Sequence, residues 1–153
     1  MRKVLLTLFV LMFSVSSFSN EKNKELDLYD LGGKLSRCAG DYEFASILYK
    51  EIFKNAALSK TLHEHANGWQ TAGMANYYFS GLTREASKVS AEGKKEAKTT
   101  QWIADMSLLK KDNIKEFEVF IEELGVRIKY CSTWDDVVVE SQKKLKKAWL
   151  SRL

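Results

Sequence analysis

The sequence predicts an all-α protein, a single-domain up-and-down bundle of about four helices tied by one disulfide. Three observations predict it. Proline is absent from all 153 residues, so no helix interior is interrupted by one. Apolar residues recur at steps of three and four rather than two, the period of a helix face. Ala, Leu, Lys and Glu, all good helix formers, are abundant.

The first predicted helix spans about 26–54. Leu28, Leu31, Leu35, Cys38, Tyr42, Ala45, Tyr49 and Ile52 form one seam at alternating steps of three and four. Phe44 and Leu48 widen it. Gly32 and Gly33 lower the propensity, so they predict either a break or a close approach by a second helix. Asn55 is the expected stop.

The second helix is expected to start near Ser59 as N-cap. Its stripe, Leu62, Ala66, Trp69, Gly73, Asn76 and Ser80, is mostly small. The helix is expected to fade after Gly81 or to run on as a polar helix to Gly93. Residues 83–100 are charged and small and predict a solvated helix end with a turn at Gly93, or a loop. Trp102, Met106 and Leu109 then lead into Ile114, Phe117, Ile121, Leu124 and Ile128 with a change of phase across Lys110 to Asn113, which predicts a kink or break there. Gly125 is a candidate stop. A last helix is expected after Cys131, with Thr133 and Asp136 as a capping pair. Its inner stripe is Trp134, Val138, Ser141, Leu145 and Ala148. Lys143, Lys144, Lys146, Lys147 and Arg152 crowd its C-terminal end, where positive charge is favoured.

Residues 1–19 differ in kind. Arg2 and Lys3 precede an apolar run from Val4 to Phe13, then small and polar residues to Ser19. This three-part pattern predicts a signal peptide cleaved after Ser19 or a residue or two earlier; an uncleaved anchor is the alternative. Residues 20–153 are then one helical-bundle domain, periplasmic or secreted, with no stable membrane insertion after cleavage. The leader carries two of the 24 basic residues and none of the 20 acidic ones. The net charge of the remainder is near +2 rather than +4, which argues against a nucleic-acid partner. In an oxidising compartment the two cysteines, Cys38 and Cys131, predict a disulfide. Loop entropy sets its upper contribution at roughly 4 to 5 kcal/mol.

No residue pattern points to catalysis, and the chain is expected not to be an enzyme. His63 and His65 are two apart and face opposite sides of a helix, so they do not form a metal pair. Covalent haem lacks its Cys-x-x-Cys-His motif, and no cofactor is expected. The neighbouring acids Glu122–Glu123 and Asp135–Asp136 split across their helices rather than converge. Trp69, Tyr77, Tyr78 and Phe79 hold more rings than one inner stripe needs, and form the candidate interaction surface. The expected function is therefore protein–protein interaction, as of an inhibitor, immunity or accessory factor. The partner is another protein or a second copy of the chain. The alternative is a bundle carrying a small apolar ligand or cofactor.

Overall fold

The computed structural model describes residues 27–110 and 113–151; the leader and Arg152 lie outside them. The described residues form five α-helices and no strand: α1 (Leu28–Glu51), α2 (Ala56–Phe79), α3 (Arg84–Ser107), α4 (Ile114–Ser132) and α5 (Asp135–Leu150). None of these helices is long and apolar enough to cross a membrane.

Local chemistry sets the boundaries. The side chains of Asp27, Asn55, Thr83 and Asn113 each accept a backbone N–H from the first turn that follows, satisfying donors that a helix start leaves orphaned. Asn55 is thus the cap of α2 and not merely the stop of α1, and α2 starts three residues before the expected Ser59. The turn into α2 passes through Lys54 in left-handed conformation, with φ 53°.

The count of five rather than about four follows from the break near residue 110, which splits the stretch from Trp102 to Ile128 into α3 and α4; the end of α2 falls beside Gly81, the first of the two expected stops. Ser80 ends α2, Gly81 takes φ 106°, a conformation open to glycine at little cost, and Thr83 starts a new helix. The turn expected at Gly93 is not there. Gly93 lies inside α3, because the break had already been made twelve residues earlier. The change of phase near residue 110 does separate two helices, α3 and α4. Gly125 does not stop α4, which continues over a buried glycine to Ser132. Thr133 is therefore the C-cap of α4 and not the N-cap of the last helix. Thr133 instead donates its hydroxyl to the Tyr130 carbonyl, and α5 begins after Trp134 with no side-chain cap, its first turn carrying Asp135 and Asp136.

α1 is the central element. Ser46 meets Ser59 and Gly32 meets Gly73 and Tyr77, so α2 runs antiparallel to it. Gly40 lies against Lys95 and Lys98, and Phe44 against Trp102, so α3 runs parallel to it. Phe44 against Phe120 and Cys38 against Cys131 make α4 antiparallel. α5 packs chiefly on α2. The glycines at 32 and 33 do not break α1. They let α2 approach, since a Cβ on Gly32 would stand 3.0 Å from both the Gly73 carbonyl and the Tyr77 ring.

The core is aromatic where α1, α3 and α4 meet. Phe44 stacks on Trp102 at 5.8 Å, and Phe120 presents an edge to both. Such pairs add about 0.5 to 1.5 kcal/mol beyond their area. The sulfurs of Cys38 and Cys131 lie at bonding distance, 2.06 Å, and close a loop of 93 residues. The bridge ties the third turn of α1 to the last turn of α4, and not to the start of the last helix as the order of the elements in the sequence suggested.

Candidate functional site

Three features of the described residues carry chemistry: a buried carboxylate, an interhelical polar chain beside it, and an open groove.

Asp41 is 0 % exposed. It follows Cys38 by three residues on α1, so both face α4. Trp102 donates its indole N–H to Oδ1 at 2.6 Å, Arg127 donates from Nη2 to Oδ2 at 3.4 Å, and the Lys98 ammonium lies 3.9 Å from Oδ1. The disulfide sulfur of Cys131 is 3.6 Å from Oδ2; bonded to Cys38, it has no proton to donate. Burial pushes the Asp41 carboxyl above its ordinary 3.8. The Trp102 hydrogen bond and the charges of Arg127 and Lys98 oppose that rise. Cys38, Asp41 and Cys131 also bring their ligand-type atoms within 4.8 Å of one another. This donor set does not fit a metal, because a disulfide sulfur is no thiolate and the carboxylate already holds two cations. The cluster joins α1, α3 and α4 and is structural.

Two residues further along α1, Glu43 sits between His63 Nδ1 at 3.0 Å and Lys95 Nζ at 3.2 Å, and Lys95 donates to Gln70 at 3.2 Å. This chain links α1, α2 and α3. The two histidines do not converge: His63 belongs to it, while His65 stacks on Tyr42 at 5.5 Å.

The groove, about 560 Å³, is lined by α2 and α3 together with Trp149 of α5. α2 supplies Asn67, Gln70, Thr71 and Met74, spaced to share a face. α3 supplies Glu85, Lys88, Ala91 and Glu92, likewise on one face. The Arg84 guanidinium lies over the Trp149 ring, 4.4 Å from its centroid, close enough for a cation–π contact. Met74, Ala91 and Trp149 are the groove's apolar lining; the rest of the lining is amides, a hydroxyl and charges of both signs.

The candidate interaction surface is largely withdrawn. Trp69 and Tyr77 are 2 % and 1 % exposed. Trp69 packs on Tyr42 at 5.7 Å, and Tyr77 meets the edge of Tyr29 at 5.0 Å. Both fill space left by the small residues around them and belong to the core. Tyr78 is half-buried against Phe79, and only Phe79, 39 % exposed, faces solvent. Sequence reasoning missed Asp41 altogether. Its signal was an acid one position short of the apolar seam at Tyr42, in a helix otherwise apolar on that side. The groove residues of α2 also had a readable signal, the 67–70–71–74 spacing, but it lay opposite the stripe that drew attention.

Comparison with protein-family models, with curated protein sequences and with solved structures finds no match to this chain.

Proposed function

We propose that this chain is an exported protein-binding factor, and that the α2–α3 groove receives a polypeptide segment of its partner. The observation that carries this reading is the groove itself, lined by amides, charges of both signs and a few apolar side chains. Its volume lies in the range of about 300 to 1,000 Å³ typical of binding sites, and its lining, with three apolar residues among ten, suits a polar chain. Asn67 and Gln70 each offer a donor and an acceptor, as a peptide backbone requires. Glu85, Lys88 and Glu92 step along α3 at intervals that read side chains of both signs. The Thr71 hydroxyl is already engaged with the Asn67 carbonyl, which favours a binding role for this wall over a nucleophilic one. A rigid frame supports the reading too, since preorganised surfaces lose less entropy on binding. Export rests on the leader pattern and agrees with the bridge between Cys38 and Cys131. The open, polar-lined groove suits a peptide better than the small apolar ligand of the alternative.

Site-specific photo-crosslinking in the native host tests this. A crosslinker at position 71 should give one discrete protein adduct, a crosslinker at position 122 on the outer face of α4 should give none, and Met74→Arg should abolish the adduct. Equal adducts from both positions, or an adduct insensitive to Met74→Arg, would overturn the proposal.

A further inference from the structure

We infer that the outer face of α5 docks on an anionic lipid surface. α5 turns Val138, Ser141 and Leu145 inward. The opposite face carries Val139, Lys143, Lys146, Lys147 and Leu150, all exposed, with Val139 and Leu150 among the exposed large apolar side chains. Spacing of four, three, one and three residues places them on one side of the helix.

Charge is segregated along the axis. The acids Asp135, Asp136 and Glu140 occupy the first six residues of the helix, and all four lysines follow them. Lys144 is neutralised by Glu140 at 2.7 Å. Among the described residues, Lys143, Lys146 and Lys147 pair with no acid. The carbonyl end of the helix adds negative potential that holds lysines there when no ligand is present. The result is a cationic end with an aliphatic side chain, Leu150, set among the lysines.

That mixture selects the partner. A phosphate surface alone would be met by the lysines, and the apolar residues would have no role. An interfacial helix uses both, with lysines at the headgroups and aliphatic side chains at the acyl boundary. The small net charge of the chain outside its leader also argues against nucleic acid. The face shares no residue with the α2–α3 groove, so this inference and the groove reading stand or fall separately.

Co-sedimentation of the full chain with lipid vesicles decides it. The wild type should sediment with vesicles of equal parts phosphatidylglycerol and phosphatidylcholine, and much less with phosphatidylcholine alone. At about fivefold per lysine, Lys143→Gln, Lys146→Gln and Lys147→Gln combined should weaken the binding about a hundredfold. Leu150→Ser should weaken it several-fold while leaving its salt dependence unchanged. The leader is common to every variant and cancels in the comparison. Circular dichroism should show unchanged helix content, since all four side chains are exposed. Equal binding to neutral vesicles, a triple variant that binds like the wild type, or tighter binding to duplex DNA than to anionic vesicles would each overturn the inference.

Discussion

α1 and α3 are both 24 residues long, yet fifteen residues of α1 are buried and only three of α3: Ser87, Ala91 and Trp102. α1 is enclosed by α2, α3 and α4, whereas α3 lays one narrow stripe on its neighbours. The difference explains what each helix can carry. An enclosed helix must be small wherever a neighbour crosses it, and any charge on it must be met by partners. An open helix is free in both respects. Glycine shows this most directly. Gly73, on the α2 face that meets α1, has no room for a Cβ, which would collide with the Ser36 hydroxyl. Gly93 in α3 has nothing within 4 Å.

The largest effect is expected at Asp41. Asp41→Ala removes the acceptor of the Trp102 N–H and the counter-charge of Arg127 and Lys98. Lys98 and Arg127 retain 16 % and 41 % side-chain exposure, which softens the loss. Urea unfolding should show about 3 kcal/mol of destabilisation. A loss below about 1 kcal/mol would mean that water replaces the carboxylate and that the enclosure of α1 does not depend on it.

Next comes the bridge. Cys38→Ala combined with Cys131→Ala should cost about 2 to 4 kcal/mol. α4 is otherwise held by Phe120, Ile121, Leu124 and Ile128, so hydrogen exchange should show α4 amides losing protection before those of α2. Equal loss in both would show that the bridge stabilises the whole molecule and not one outer helix.

The glycine pair sharpens the contrast by sign. Gly73→Ala should destabilise by about 1 to 3 kcal/mol, because the added methyl presses on backbone atoms of Gly32 and Ser36 that move only if the helices part. Gly93→Ala should stabilise by about 0.5 to 1 kcal/mol through helix propensity alone. Thermal melts of the two variants, run together, test both. The same sign for both would erase the distinction.

The smallest effect is the dependence on pH. Burial raises the Asp41 carboxyl above 3.8 in the folded protein. The folded state therefore binds more protons than the unfolded one between 3.8 and the raised value, and the Asp41 contribution is lost as pH rises through that window. Relative to the wild type, Asp41→Asn should gain stability as pH rises across it. Chemical unfolding at a series of pH values reads the slope; the opposite slope would show that Arg127, Lys98 and Trp102 outweigh burial.

Legibility in the sequence followed the same contrast. α1 was readable because its apolar seam runs unbroken from Leu28 to Ile52. The phase change near residue 110 was readable because two apolar stripes met there. α3 was readable only in part: three buried residues in 24 leave almost no period, so residues 83–100 fitted a helix end with a turn at Gly93 or a loop, and only the stretch from Trp102 on showed a helix face. Trp69 was readable as part of the inner stripe; which of the consecutive rings Tyr77, Tyr78 and Phe79 stays outside was not, because a residue's type does not reveal which helix covers it. The capping pair at Thr133 failed because Thr133 closes the preceding helix and Trp134 takes the position before the next one.

What the sequence determined alone was local. Proline absence, helix-forming composition and period set the all-helical class. Two cysteines left one bridge to form. Tertiary structure decided everything that required knowing which faces meet. It decided that Gly32 and Gly73 admit a close crossing, that Asp41 is enclosed with two cations and an indole, and that a groove remains between α2 and α3. Period and propensity act between residues a turn or two apart, whereas the glycine crossing and the Asp41 cluster join positions about 40 to 90 apart. Only the packed helices bring them within reach.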